Sequence, residues 1–352
     1  MTSILIQNGR IWDGEKFFCG DILTEGGRIV QIADRIDADA KFVYDATGKT
    51  VSAGLVDIHL HLKGFSSDEH GILAPMGCMP FGVTAACDAG ARQGSHVQLS
   101  QCGVKSVAFA DCFIENNHLN LPVTRQRLTP LGHLGIGLKV YLGASKKFHD
   151  ITPLLEAREY AAKQGLKLMV HCNNSPFSMA SIVEALAPGD ILSHVYHGQE
   201  NDCMEADFEA FRLAKEKGVV MDAAFAGHIH TDFDVLRTAI AAGHLPDTIS
   251  TDLTKNSAYR RGGRYGLPMC MSMARTAGMA EEDIFRAVTS APAKALEQPW
   301  GKLEVGGIAD IAVLSDTDEG FSLTDRAGNT LQSPTGYRCE LTISDGIVLY
   351  RH

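Results

Sequence analysis

Two histidines separated by a single residue stand near the end of an apolar run. Residues 55–62 read LVDIHLHL, in which His59 and His61 alternate with apolar positions. In an extended strand, side chains two residues apart lie on one face, so both imidazoles point the same way. Neutral imidazole is the commonest protein ligand for zinc-like ions. The pair indicates a metal site only if other strands supply further ligands, because an isolated pair of histidines is more often structural.

The elements that would position such a site alternate between strand and helix. Glycines of the kind that end helices follow several helix-like stretches, at Gly165, Gly218 and Gly243. Strand-like segments occur at residues 55–62, 83–90, 104–112, 134–142, 166–172, 190–198, 219–227 and 247–254. This alternation, spread over about 250 residues, predicts an α/β fold, a (β/α)8 barrel of the TIM type.

Both ends of the sequence have a different character. They alternate short β-like runs with turn signals, such as Asn8-Gly9 near the start and Ser344-Asp345-Gly346 near the end. Such a pattern at both ends suggests one β-rich module built from both termini. We predict that residues 1–52 and 299–352 form this module and that residues 53–298 form the barrel.

The C-terminal ends of the predicted strands carry residues that can bind metals, counting lysine in a modified form. In a (β/α)8 barrel these ends meet at one mouth, where function resides. The candidates on strands one, four, five, six and eight are His59, His61, Lys139, His171, His194 and Asp252. Any one of them could be structural, but their joint occurrence predicts a single metal centre.

These motifs resemble those of the amidohydrolase superfamily, and the resemblance covers nearly the whole chain. The matching segments are the His-x-His of VDIHLHL, the lysine of GLKVYL, the histidines of LMVHC and ILSHVYHG, and the aspartate of ISTDLT. The β-rich ends are similar to the composite β-sandwich domain of that superfamily. Within it, the segments GLKV, LMVHC, GDILSH and ISTDL are similar to the dihydroorotase-like branch of predicted deacetylases.

The resemblance implies a binuclear metal centre. Its two divalent ions would be zinc by preference, since imidazole and carboxylate ligands suit zinc. Lys139 would be N6-carboxylated, because an ammonium group has no lone pair to offer a metal. One ion would be held by His59, His61, Lys139 and Asp252, and the other by Lys139, His171 and His194. A hydroxide bridging the ions would attack the substrate, with Asp252 as general base.

The implied function is hydrolysis of an amide or ester bond, with deacetylation of a small acylated amino or hydroxy acid preferred. A cyclic amide hydrolase of dihydroorotase or hydantoinase type is the alternative, although Lys63 stands where a dihydroorotase usually carries an arginine. A mononuclear deaminase of the superfamily would have no use for the bridging Lys139. From another class, a catalytically inactive scaffold of this type is expected to have lost ligands.

Five residues around the predicted mouth are candidates for substrate contacts. Tyr141 and His197 lie close in sequence to predicted ligands, and His228 and His230 follow strand seven. Arg264 lies in a glycine-rich loop after strand eight, from which a guanidinium could reach a substrate carboxylate. Two of these five residues could instead have no contact with the substrate. His197 could cap a loop, and Arg264 could be an ordinary surface charge.

The composition argues against several classes of partner. A formal net charge of -10 and the lack of a cluster of lysines and arginines argue against nucleic acid. No stretch reaches the roughly 18 apolar residues of a membrane span, and no signal peptide is recognisable, so we expect a cytoplasmic protein. The nine cysteines include no C-x-x-C pair, which argues against thiolate zinc. We expect a small-molecule substrate and a homo-oligomer.

Overall fold

The computed structural model describes residues 3–63, 70–92, 103–143, 145, 147–260 and 263–352, with only the backbone of Arg260. The N-terminal strands are β1 (Ser3–Trp12), β2 (Phe17–Glu25), β3 (Arg28–Ala33), β4 (Phe42–Asp45) and β5 (Thr50–Ala53). The middle of the chain forms β6 (Leu55–Leu60), β7 (Val83–Ala91), β8 (Lys105–Asp111), β9 (Ile114–Glu115), β10 (His118–Leu119), β11 (Gly135–Tyr141), β12 (Lys167–His171), β13 (Ile191–Ser193) and β14 (Val220–Asp222). The C-terminal strands are β15 (Ile311–Thr317), β16 (Phe321–Thr324), β17 (Thr330–Ser333), β18 (Gly336–Ser344) and β19 (Ile347–Arg351).

Helices lie between the middle strands and after them. They are α1 (Ala74–Gly77), α2 (Leu121–Leu128), α3 (Thr152–Gln164), α4 (Met179–Ala185), α5 (Glu209–Lys217), α6 (Phe233–Ala241), α7 (Lys255–Arg260), α8 (Leu267–Thr276), α9 (Glu281–Val288) and α10 (Ser290–Ala295). Gly165 and Gly218 follow the last residues of α3 and α5, each with a positive φ, so the helix ends predicted at these two glycines are confirmed. Among the described helices, none is both long and apolar enough to span a bilayer.

The barrel wall is a parallel sheet of seven strands in the order β14-β13-β12-β11-β8-β7-β6. Residues 247–254, the eighth predicted strand, form isolated bridges instead of a regular strand. Thr248 pairs with Asp222 at the end of β14, and Leu253 pairs with Leu60 at the end of β6. This segment therefore closes the ring between the first and last strands, and the predicted fold class is confirmed.

The eighth segment lacks a regular ladder because its polar side chains bond to buried carboxylates. Ser250 Oγ donates to Asp222 Oδ1 at 2.8 Å, and Thr251 Oγ1 donates to Asp57 Oδ2 at 2.6 Å. Asp252 has a φ of 47°, which takes the chain out of the extended conformation. Strands six and seven are also shorter than predicted, since positive φ values at His194 and Ala224 follow their ends closely.

The second sheet joins the two ends of the chain. Its order is β19-β18-β15-β5-β1-β2-β3, with β4 paired to β1. The central pairing is the antiparallel contact of β5 with β15, in which Val51 lies opposite Val313. Apolar residues from both termini, including Ile11 and Leu341, form its buried core. The domain boundaries at residues 52/53 and 298/299 stay a prediction.

The barrel interior is packed tightly beneath the C-terminal ends of the strands. Phe109 and Met169 belong to one buried cluster, and each lies two residues before a side chain of the mouth, so it shares that face. Gly137 stands two residues before Lys139, and a Cβ at this position would come within 2.3 Å of Phe109 Cε1. Only glycine leaves room for the Phe109 ring in this layer.

A buried ion pair fixes α3 against the barrel. Arg158 Nη1 lies 2.7 and 2.6 Å from the two carboxylate oxygens of Asp190, which is 1% exposed. The same carboxylate accepts the backbone N–H groups of Leu168 and Ala187. Asp190 thereby ties the helix to the start of two neighbouring strands.

We expect Arg158→Met to lower the free energy of unfolding by about 3 kcal/mol, because it leaves a buried carboxylate without its cation. Lys163→Met on the same helix is the matched control, since Lys163 and Glu159 form an exposed ion pair. That control is expected to cost less than about 0.5 kcal/mol. Urea denaturation of both variants measures the difference, and equal losses would contradict the role of the Asp190 pair.

Candidate metal centre

The six predicted ligands lie together at the mouth of the barrel. His59 is 1% exposed and its Nε2 lies 3.3 Å from Lys139 Nζ and 3.5 Å from Asp252 Oδ1. His61 Nε2 lies 3.1 Å from the same oxygen of Asp252. The ring centres of His59 and His194 are 5.0 Å apart, and those of His194 and His171 are 4.3 Å apart.

Two groups of side chains can each hold an ion. His59, His194 and Asp252 form one, and His171, His194 and His230 form the other, with the ligand atoms of each group within 4.8 Å of one another. His194 Nδ1 lies 2.8 Å from the carbonyl oxygen of Ala224 and donates to it, which leaves a lone pair on Nε2.

The Nε2 atoms of His171 and His194 are buried and have no hydrogen-bond partner within the described structure. Buried polar nitrogens are normally paired, and a bound cation accounts for two such atoms at one place. The donor set therefore fits a metal ion.

The protonation states suit metal binding. Burial lowers the pKa of His59 to about 4 and lowers those of His171 and His194 well below their ordinary value, so these imidazoles are neutral at pH 7. Burial also lowers the pKa of Lys139 to about 8, against the attraction of Asp252. Although burial alone raises the pKa of Asp252, the neighbouring His59 and His61 hold it below its usual range, and the group is a carboxylate.

The carboxylate that orients His59 is that of Asp222, on β14. Its Oδ2 lies 3.4 Å from His59 Nδ1, and hydroxyl groups of Ser250 and Thr248 hold the carboxylate in place. Asp57 stands two residues before His59 on β6 and so shares its face, from which a carboxylate could also orient an imidazole. Asp57 instead accepts the Thr251 hydroxyl and the backbone N–H groups of His59 and Thr251.

The site opens into a cavity of about 650 Å³. Its wall includes five of the six predicted ligands, all but His194, and also Tyr141, whose ring centre lies 4.4 Å from that of His171. It also includes His230, whose Nε2 lies 3.7 Å from Asp252 Oδ2 and whose Nδ1 lies 2.6 Å from Asn173 Nδ2. These two predicted substrate contacts therefore face the same space as the metal-binding groups.

The other three predicted substrate contacts lie elsewhere. His197 is 2% exposed and lines a side cavity of about 40 Å³ behind His230. His228, with a φ of 141°, and Arg264 do not belong to the wall of the main cavity as the described residues delimit it. Arg264 is largely exposed and pairs with Glu319 at 3.4 Å.

Four residues at the mouth of the barrel are not among the site residues predicted from the sequence. Asp222 and Asp111 end β14 and β8, and Arg92 directly follows β7. The rule that identified the ligands, a polar residue at the C-terminal end of a barrel strand, applies to all three. His70, whose ring centre lies 4.6 Å from that of His61, comes from a loop and left no such signal.

Comparison with known proteins supports the fold and the class of enzyme. Residues 136–348, more than half of the chain, match the amidohydrolase family. The chain is 26% identical over 375 residues to a deacetylase of Enterococcus faecalis, covering 97% of this chain and 98% of the relative. It is also 26% identical over 443 residues to a dihydroorotase of Syntrophotalea carbinolica, covering 99% of each.

Solved structures resemble the whole chain. A dihydroorotase superposes with a TM-score of 0.86 at 24% identity, covering 99% of this chain and 98% of the other. An adenine deaminase superposes with a TM-score of 0.84 at 25% identity over the full length of both. The first of these likenesses concerns the fold alone.

We expect Asp222→Asn to weaken zinc binding by roughly 10- to 100-fold, because the amide no longer provides the charge that orients His59. Titration of the metal-free protein with zinc measures the change. Asp57→Asn is the matched control: burial raises the pKa of Asp57 to about 7, so an amide resembles its protonated form. A larger loss in Asp57→Asn than in Asp222→Asn would reverse the two roles.

Proposed function

The chain belongs to the amidohydrolase family and is a hydrolytic enzyme, and on this premise we propose that it deacetylates a small acylated amino or hydroxy acid. The observation that carries the proposal is the carboxylate of Asp252, which faces the cavity in contact with His59 and His61. The similarity to a deacetylase over nearly the full length of both chains supports this choice of reaction.

Two divalent ions, zinc by preference, would be held at the mouth. His59, His61, Lys139 and Asp252 would bind one, and Lys139, His171 and His194 the other. Imidazole and carboxylate ligands suit zinc. Lys139 would contribute as a carbamate, and its lowered pKa supports this, because only the neutral amine reacts with CO2. The Nε2 atoms of His171 and His194, which have no hydrogen-bond partner among the described residues, support the second position.

When bound, such ions would activate water at neutral pH and polarise the scissile carbonyl. Asp252 would take the proton from the attacking water and deliver it to the leaving nitrogen or oxygen. The neighbouring His59 and His61 hold the pKa of Asp252 below its usual range, so the group is a carboxylate, the form that can accept a proton. His230 would contact the substrate, because it is anchored on Asn173 and lines the same cavity. It lies beside Oδ2 of Asp252, whereas His59 and His61 lie beside Oδ1. Tyr141 would form the wall beside His171.

Hydrolysis of a cyclic amide, of the dihydroorotase or hydantoinase type, is the second candidate. The similarity to a dihydroorotase over 99% of both chains favours it. The same groups would serve, since opening a cyclic amide also requires water attack and protonation of a nitrogen. A deaminase is less consistent with the buried Lys139 beside His59. An inactive scaffold is opposed by the presence of every predicted ligand at the mouth.

The test of the function is a substrate screen with the zinc-loaded protein. N-acetylated and O-acetylated acids of both hands, dihydroorotate, hydantoins and adenine would be assayed for acetate, ring opening and ammonia. We expect acetate release from at least one acylated acid. Hydrolysis of rings alone would select the second candidate, and ammonia release from adenine would select deamination. A protein that retains less than one equivalent of metal and hydrolyses nothing would be a scaffold.

We expect Asp252→Asn to lower kcat by roughly 100- to 10,000-fold, because the amide cannot accept a proton. Elemental analysis is expected to find much of the zinc retained, since five of the six ligands remain. Ser257→Ala is a useful control, because Ser257 lines the same cavity and bonds to Thr254. If Asp252→Asn retained near-normal kcat, another residue would be the general base.

A further inference from the structure

We propose that Arg92 binds the carboxylate of the substrate and makes the enzyme selective for acids. The inference rests on the proposed function and names the group that recognises its substrate class. Arg92 directly follows β7 and lines the cavity into which Asp252 and Lys139 also face. Among the described residues of that wall, Arg92 is the arginine and Lys139 is the lysine. Lys139 is assigned to the metals, which leaves Arg92 for an anion.

A carboxylate fixes one edge of the Arg92 guanidinium. Arg92 Nε donates to Asp111 Oδ2 at 2.9 Å, and Asp111 is 9% exposed at the end of β8. A guanidinium has five N–H donors in a planar fork, so this bond leaves the four donors of the two terminal nitrogens for other partners. Such a fork matches the two oxygens of a carboxylate.

The charge of Asp111 is already balanced by a second arginine. Arg127 Nη1 lies 2.6 Å from Asp111 Oδ2 and 3.1 Å from the Asp111 carbonyl oxygen. The side chain of Arg127 is 18% exposed, whereas that of Arg92 is 60% exposed. Two guanidinium groups therefore share one carboxylate, and the excess positive charge lies on Arg92 at the cavity wall. An ion pair this exposed contributes little to stability, which makes a purely structural role for Arg92 a weak explanation.

The position of Asp111 brings this charge close to the reaction centre. Asp111 is the register partner of Lys139 in the parallel pair of β8 and β11. Neighbouring strands lie about 4.8 Å apart, so the anchor of Arg92 is one strand spacing from the proposed metal-bridging residue. An anion held there lies near the scissile bond. This geometry suits an acylated amino or hydroxy acid, whose carboxylate is only a few bonds from the acyl group.

The test compares acids with their uncharged amides. Wild-type protein, Arg92→Ala and Arg92→Lys would be assayed with N-acetylglycine and both hands of N-acetylalanine, and with the corresponding carboxamides. In Arg92→Ala we expect kcat/KM for the acids to fall roughly 10- to 100-fold, mainly through KM, with the carboxamides unaffected. Arg92→Lys is expected to retain part of the preference, since it keeps the charge without the fork. Arg286→Ala, which removes another arginine paired with an aspartate, is the control and is expected to keep the preference.

The outcomes separate this inference from the proposed function. If wild type and Arg92→Ala show the same ratio of acid to carboxamide turnover, Arg92 does not bind the carboxylate, while the deacetylase function stands. If the wild type hydrolyses neither series, the proposed deacetylase function fails. Thermal-shift titration with N-acetylglycine and its carboxamide then tests whether Arg92 binds a carboxylate. A rise in the melting temperature of the wild type with the acid alone, lost in Arg92→Ala, would support the anion site. Equal rises in wild type and Arg92→Ala would overturn the assignment of Arg92.

Discussion

The imidazole of His59 lies between two carboxylates, and the arrangement of the side chains at the mouth depends on these two contacts. Asp222 contacts Nδ1 from the end of β14, while Asp252 and Lys139 lie on the Nε2 side. Burial lowers the pKa of His59 to about 4, so the ring is neutral at pH 7 and can direct a lone pair into the site. Because β6, β14 and the segment around Asp252 meet here, the same contacts that orient the ring also close the barrel between its first and last strands.

The cavity wall divides into regions of opposite character. Around Asp252 the ionised carboxylate and neutral imidazoles suit cations. The buried Nε2 atoms of His171 and His194, which lack a partner among the described residues, extend that region. Around Asp111 two guanidinium groups outnumber one carboxylate, which favours an anion. Lys139 stands between them, as the register partner of Asp111 and the neighbour of His59. Under the proposed function, the acyl group of the substrate would lie at cations held around Asp252, and its carboxylate would lie at Arg92.

Much of the fold and of the centre could be predicted from the sequence. His59 and Lys139 can be identified as site residues because each is a polar residue near the end of an apolar strand. The C-terminal ends of the strands in a barrel converge at one mouth. Asp222 and Asp111 obeyed the same rule but were missed, since an aspartate after a short strand also fits a turn. The sequence makes Arg264 a candidate because a glycine-rich loop suggests mobility, and only the structure reports that Arg92 borders the cavity. The irregular eighth segment could not be foreseen, because it depends on hydrogen bonds to Asp57 and Asp222 from distant parts of the chain.

The pairing of β5 with β15 has a consequence for the order of folding. On the ribosome β1–β5 emerge first, and their local hairpins can form at once, but β5 has to wait until Ile311–Thr317 has been made. Until then the edge of β5 and its apolar face are uncovered, a state that invites pairing with other chains. Contacts across so many residues slow folding. The C-terminal strands thus complete the second sheet late in synthesis, when β15 covers the edge of β5.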